Sequence, residues 1–293
     1  MGNQPAKPGD YVNTEEIVVK NERDGNKIPC KVWKPKGRIR AAALFIHGGM
    51  FSNGDRESHS LVAESLAAQT GIVIITATFR DGSSTTYETG KSISDLIAVA
   101  EYLKKRYYNE PFGVIGSSSG GWFALKLCNE MDYGQVKFCI PLCPVSHPHA
   151  RAVYLNHCIQ GTTPLSSGKD LYYVRHSSAK AQEILRSQLQ FFVSYKEMAM
   201  ASEEVQENIH KVPTLLILGS ADANVPAQVT QHLVETWASR TVIVGGAGHE
   251  ISNAPPADFT QSYIPDVERF LRSVLKDEPY EPLWKSEKRL AEG

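Results

Sequence analysis

Six short, almost unbroken apolar runs constrain this chain more than any other feature: Ala41–Ile46, Ile72–Ala77, Phe112–Ile115, Val136–Leu142, Thr214–Leu218 and Thr241–Val244. A strand with one wet face alternates apolar and polar residues, whereas a strand covered on both faces has no reason to. Runs of this kind therefore belong inside a parallel sheet. Between them lie patterns of helical period at Glu57–Gln69, Thr89–Tyr108, Ser119–Met131, Ala227–Ala238 and Ala257–Leu275. The second of these places Ile93, Leu96, Ile97, Ala100 and Leu103 on one face. Strands alternating with helices imply an α/β fold on a mostly parallel, doubly wound sheet with right-handed crossovers. Ahead of it, Thr14 to Pro35 reads as a hairpin turning at Asp24-Gly25-Asn26.

The alternation lapses between Ser146 and His210, where no run reads as a strand and Ile184, Leu185, Leu189, Phe192 and Tyr195 mark an amphipathic helix. Residues 146–210 are therefore expected to form a helical cap inserted into a core of residues 1–145 and 211–293. Tyr172, Tyr173, Phe191, Phe192, Tyr195, Met198 and Met200 are available to line an apolar pocket, though most suit the cap's own core. Glu278 to Gly293 reads as a tail, with Leu283-Trp284 able to dock on the body.

Charge narrows the choice of partners. A formal net charge of -1 gives no footing for nucleic acid. No apolar stretch approaches the roughly 18 to 20 residues that span a bilayer, and Met1 to Asp10 lacks the apolar run of a secretory signal. The expectation is a cytoplasmic protein acting on a small molecule, its oligomeric state open. Cys30, Cys128, Cys139, Cys143 and Cys158 form an odd set with no CxxC pair, and are expected to be reduced and to serve as small core residues.

Gly116-Ser117-Ser118-Ser119-Gly120 follows the run Phe112–Ile115 and precedes a helical pattern, the strand–turn–helix setting of a G-x-S-x-G nucleophile elbow. A turn this sharp needs small residues two before and two after the central serine, and only Ser118 has glycine at both places. Ser119 is the alternative nucleophile, with Ser117 standing where the glycine is wanted. A Ser/Gly-rich turn capping an ordinary helix is the structural alternative. If the elbow is real, the Ser119 N–H at the helix start points at a developing oxyanion.

His47-Gly48-Gly49-Met50-Phe51 leaves the run Ala41–Ile46 in the same way. Glycines there let backbone N–H groups face a carbonyl oxygen with no Cβ in the way. Gly49 and Met50 are the expected donors, while His47 and Gly48 support the loop. A plain strand-exit turn, held by a His47 hydrogen bond, is the structural reading.

With Gly54-Asp55, the elbow and a later acid and histidine, this loop resembles the hormone-sensitive-lipase and carboxylesterase side of the α/β-hydrolase superfamily. The resemblance runs from about Thr14 to Leu275. It implies an α/β-hydrolase fold, a serine hydrolase mechanism and no metal or organic cofactor. Two stretches depart from the family pattern: Met50 replaces a third glycine, and Phe79-Arg80-Asp81-Gly82-Ser83 replaces a Tyr-Arg-Leu-Ala-Pro stretch. Relatives acting on formamides or peptides therefore stay open.

Gly219-Ser220-Ala221-Asp222-Ala223-Asn224-Val225-Pro226 is similar to the family's acid loop and makes Asp222 the implied acid, an Asx turn being its structural alternative. Gly245-Gly246-Ala247-Gly248-His249 follows the last apolar run and offers a histidine able to reach the serine. Of nine histidines, the others fall in the glycine loop, the cap or helical patterns; His147-Pro148-His149 lacks a carboxylate or thiolate partner for a metal. The expected catalytic set is Ser118, Asp222 and His249, with oxyanion donors at Gly49, Met50 and Ser119. The expected reaction is hydrolysis of a small or medium carboxylic ester. A formamide or amide substrate, or a hydrolase-fold receptor for a small molecule, are the alternatives.

Overall fold

A computed structural model describes residues 8–81, 89–162, 176–252 and 261–280. The apolar runs come together in one eight-stranded sheet of order β1-β2-β4-β3-β5-β6-β7-β8. β1 (Val12–Lys20) and β2 (Lys27–Pro35) make the antiparallel hairpin, closed by the Asn21 N–H donating to the Asn26 carbonyl at 2.8 Å. β2 runs antiparallel to β4 (Ile72–Ala77). β3 (Ala41–Ile46), β5 (Phe112–Ser117), β6 (Phe138–Leu142), β7 (Leu215–Gly219) and β8 (Arg240–Val244) all run parallel to their neighbours, as β4 does to β3. Parallel direction brings the C-terminal ends of β3, β5, β7 and β8 to a single edge, where ligands bind in open α/β sheets.

Two-sided burial explains the unbroken runs. Along β3, Ala42, Leu44 and Ile46 join a core shared with α2 (Thr89–Arg106) and α3 (Ser119–Glu130). The intervening Ala41, Ala43 and Phe45 join the opposite core with α1 (Ser60–Thr70) and α8 (Gln261–Leu275). β8 departs from this rule: it is an edge strand of the sheet and leaves Ile243 62% exposed.

Helix ends differ from the sequence reading for local reasons. α1 starts at Ser60 and not at Glu57, since the Asp55 carboxylate accepts the Glu57 N–H at 2.8 Å and closes a turn first. α8 is described from Gln261; the expected start at Ala257 lies outside the described residues.

Between β6 and β7 the described residues form α4 (Pro148–Gln160), α5 (Ser178–Phe192) and α6 (Tyr195–Glu203), and no strand. The expected amphipathic run ends at Phe192. Val193 turns the chain with φ +64°, and Ser194 accepts the Glu197 N–H at 3.1 Å to open α6. Phe191, Phe192 and Met198 are buried core residues, packed with Phe51, Trp122 and Phe123, whereas Tyr195 and Met200 are exposed. Tyr172, Tyr173, Leu283 and Trp284 lie outside the described residues. α7 (Ala227–Thr236) follows β7. All five thiols are free and buried, and no described helix is long and apolar enough to cross a membrane.

The C-terminal end of α8 is fastened to the sheet by Arg40, whose side chain is fully buried. Its Nε and Nη2 each donate to the Asp277 carboxylate at 2.7 Å, and its Nη1 donates to Glu268 and to the Thr70 carbonyl. Arg40→Met is expected to lower the unfolding free energy by about 2 kcal/mol, less than the roughly 3–5 of a fully sealed pair because both carboxylates keep some exposure. A urea midpoint unchanged from the parent would refute this.

Candidate active site

At the end of β5 the chain must reverse into α3 within a few residues. Ser118 does so with φ 53° and ψ −119°, a backbone region that ordinary L residues avoid. The flanking glycines are required by contact. A Cβ on Gly116 would lie 2.2 Å from the Gly120 carbonyl oxygen, and one on Gly120 would lie 2.2 Å from that of Ile46. The turn is locked by the Ser118 N–H donating to Leu142 at 2.9 Å and by the Val145 N–H donating to the Ser118 carbonyl at 2.8 Å. Ser119 is the first residue of α3, where N–H groups have no intrahelical acceptor.

The glycine loop abuts this elbow: a Cβ on Gly48 would lie 2.9 Å from the Ser118 Cβ. Gly49, Met50 and Phe51 follow with φ of 125°, 58° and 68°. Met50 thus adopts the left-handed conformation that a third glycine would favour. What holds it there is Phe51, 2% exposed and set among Trp122, Phe123, Phe191 and Phe192.

His47 stays in a supporting position. Its Nδ1–H donates to the Gly48 carbonyl at 2.7 Å, its ring stacks on Phe79, and burial keeps its pKa below the usual histidine value. A second support was not legible in the sequence: His59, assigned there to a helix, precedes α1 and accepts the Gly48 N–H on Nε2 at 2.9 Å.

From the far side of the sheet, the loops after β7 and β8 bring Asp222 and His249 to the serine. His249 Nε2 lies 2.9 Å from Ser118 Oγ, and His249 Nδ1 lies 2.8 Å from Asp222 Oδ2. A carboxylate only accepts, so Nδ1 carries the proton and Nε2 is free to accept from the serine hydroxyl. The second carboxylate oxygen, Oδ1, accepts the Asn224 and Val225 N–H groups at 2.8 Å each. Asp222 is therefore an Asx turn and a histidine partner at once, one oxygen for each. Burial pushes its pKa up, but His249 and the backbone donors outweigh burial and leave it below the ordinary carboxylate value.

Three of the remaining histidines are engaged elsewhere. His147 caps α4 by accepting the Ala150 N–H at 3.1 Å, His157 pairs with Thr162, and His210 with the Asn129 carbonyl. Cys143, expected to be a plain core residue, lies beside the site with its sulfur within 4.8 Å of ligand atoms of Asp222 and His249. Burial and the neighbouring Asp222 charge raise its pKa well above the usual thiol value, so it stays protonated. Among the described residues, a cavity of about 430 Å³ opens beside Met50, lined mainly by Ser52, Asn53, Glu183, Arg186 and Gln190.

A strand-to-helix serine at the C-terminal edge of a parallel sheet, with histidine and aspartate on the loops of later strands, defines an α/β protein of hydrolase architecture. The chain belongs to the α/β-hydrolase fold family, whose model matches residues 43–229. The resemblance drawn from the glycine loop and the elbow is thereby borne out. The chain is similar to the versiconal hemiacetal acetate esterase of Aspergillus parasiticus, 24% identical over 148 residues covering 49% of this chain and 45% of that protein. It is also similar to the ethyl acetate hydrolase of Pseudomonas putida, 25% identical over 118 residues covering 37% of this chain and 36% of that protein. The matched stretches span less than half of either relative. Among solved structures, a hyperthermophilic esterase from Pyrobaculum calidifontis superposes with a TM-score of 0.68 at 17% identity, over 91% of this chain and 88% of that one. At that identity the likeness shows the shared fold.

Because the folded-state pKa of Asp222 is depressed, its ionisation favours the fold. That contribution is present above the unfolded value of about 3.9 and is lost as pH falls through the lowered folded value. Asp222→Asn is expected to make unfolding free energy fall less steeply on acidification below about pH 4. Urea denaturation at a series of acidic pH values tests this, and an unaltered slope would count against it.

Proposed function

We propose that this protein hydrolyses a small or medium carboxylic ester through a covalent acyl-enzyme on Ser118. The observation that carries the reading is the unbroken line from Ser118 Oγ through the His249 ring to Asp222, at 2.9 and 2.8 Å. In this mechanism His249 Nε2 takes the proton of Ser118 as Oγ attacks the ester carbonyl carbon. Asp222 holds the ring in the required tautomer and stabilises the imidazolium. The tetrahedral oxyanion rests on the N–H groups of Gly49, Met50 and Ser119, donors of a kind that contribute about 3–4 kcal/mol when one is removed. Collapse expels the alcohol, protonated by His249. Water then repeats the sequence on the acyl-enzyme, with His249 again as base, and releases the carboxylic acid.

Residues 146–210 act as a cap on a core of residues 1–145 and 211–293 in this reading. Two observations support a short acyl group. Phe191, Phe192 and Met198 of the cap are buried in packing, so none of these three is available to wall a long acyl chain. The two esterase relatives are named for acetate esters. The cavity beside Met50 carries the polar side chains of Ser52, Asn53, Arg186 and Gln190, which suits an alcohol portion with hydrogen-bonding groups.

p-Nitrophenyl acetate and butyrate are expected to show higher kcat/KM than the decanoate, and an N-formyl arylamine lower kcat/KM than all three. Ser118→Ala is expected to reduce kcat by about 10⁵ to 10⁶ with the fold intact. A fluorophosphonate probe should label Ser118 alone, as mapped by peptide mass spectrometry. Ester turnover retained by Ser118→Ala, or a probe found on Ser119, would overturn the assignment.

A further inference from the structure

Two side chains of α4, which lies between β6 and β7, grip the loop that carries Asp222. Arg151 is fully buried. Its Nε donates to the Asn224 carbonyl at 3.1 Å, its Nη2 donates to Asn224 Oδ1, and its Nη1 donates to Gln188 Oε1 at 3.1 Å. The Gln188 amide is oriented for this, since its Nε2 donates to the Pro148 carbonyl at 2.7 Å. One turn along α4, the Tyr154 hydroxyl donates to the Ala223 carbonyl at 2.6 Å. Asn224 in turn gives its N–H to Asp222 Oδ1. A continuous line of hydrogen bonds therefore runs from Gln188 on α5 through Arg151, Asn224, Asp222 and His249 to Ser118.

The choice of arginine needs a reason. Among the described residues, no carboxylate forms a salt bridge with Arg151. Burial lowers its pKa to about 10, with the Asp222 charge acting in the opposite sense. A buried cation held by neutral acceptors is costly, because no opposite charge repays its desolvation. What an apolar side chain cannot do is fix the main-chain carbonyl and the side chain of one asparagine with a single planar fork.

We propose that Arg151 is a positioning residue: by clamping Asn224 from α4, it holds Asp222 Oδ2 in line with His249 Nδ1. The proposal rests on Asp222 being the acid of the triad, as read above. Arg151 touches no reacting atom, so its effect reaches the serine only through the Asp222 loop.

The test is a double-mutant cycle on the full chain with p-nitrophenyl acetate as substrate. Arg151→Met and Arg151→Lys are each expected to lower kcat about tenfold or more, a modest fraction of what a lost triad residue costs, with KM within about twofold. The lysine variant keeps the charge but loses the fork, and it carries the test if the methionine variant does not fold. In an Asp222→Asn background, either Arg151 substitution is expected to change kcat by less than about twofold, because there is no longer a carboxylate to align. Parental kcat in both Arg151 variants would overturn the proposal, and so would an equal loss in both backgrounds, which marks a purely structural role. Asp222→Asn with parental activity would instead sink the triad reading itself, an outcome visible before Arg151 is touched.

Discussion

Everything at the C-terminal edge of the sheet depends on one strained residue. Ser118 holds a backbone conformation of the sort that costs of order 1–3 kcal/mol, and such conformations persist only where their surroundings over-determine them. Here the surroundings are main chain, which cannot rotate away. Gly116 faces the Gly120 carbonyl, Gly120 faces the Ile46 and His47 carbonyls, Gly121 faces Pro144, and Gly48 faces Ser118 itself. Hydrogen bonds from Ser118 to Leu142 and from Val145 to Ser118 close the turn from the β6 side. The glycines are thus a packing requirement first; the placement of the serine at the tip of the turn follows from it.

The loops that meet Ser118 solve a different problem, since neither lies within a regular element. Asp222 divides its oxygens: Oδ1 shapes its own turn through Asn224 and Val225, leaving Oδ2 for His249. The turn and the histidine contact are a single arrangement, so the acid cannot be moved without rebuilding its loop. The glycine loop relies on an anchor beyond the turn. Three successive residues in left-handed or related conformations would be a soft segment in water, and Phe51 stops it from moving by burying its ring among four aromatic side chains.

The sheet was legible because two-sided burial leaves a signature that survives in sequence, runs such as Ala41–Ile46 and Ile72–Ala77 with no polar break. The elbow and the glycine loop were legible because glycine is the residue whose absence of a side chain is the message. What escaped the sequence has a common cause. His59 looked like a helix residue and Cys143 like strand filler, because their positions along the chain say nothing of which loop folds over them. Arg151 escaped for the same reason, its partner being 73 residues away at Asn224. β8 was read as buried because its composition matches the interior strands, yet edge position is a property of topology, and at this edge Ile243 is exposed.

These long-range supports divide the work in an uneven way. The sheet and α3 hold the Ser118 main chain, since its backbone hydrogen bonds and the contacts that require Gly116 and Gly120 come from β3, β5, β6 or the segments adjoining them. The two loops that must come to the serine are held largely from the helices between β6 and β7. Phe191 and Phe192 of α5 pack on Phe51, the Ser187 hydroxyl donates to the Met50 carbonyl at 3.2 Å, and Arg151 and Tyr154 of α4 hold Asn224 and Ala223. α6 is itself tied to α3 by the Trp122 Nε1–H donating to the Ala201 carbonyl at 2.9 Å. A segment bonded this way to both loops is part of the frame that sets their positions. Changes in the packing of α4 or α5 would therefore be felt at the glycine loop and at Asp222 before they were felt at the serine.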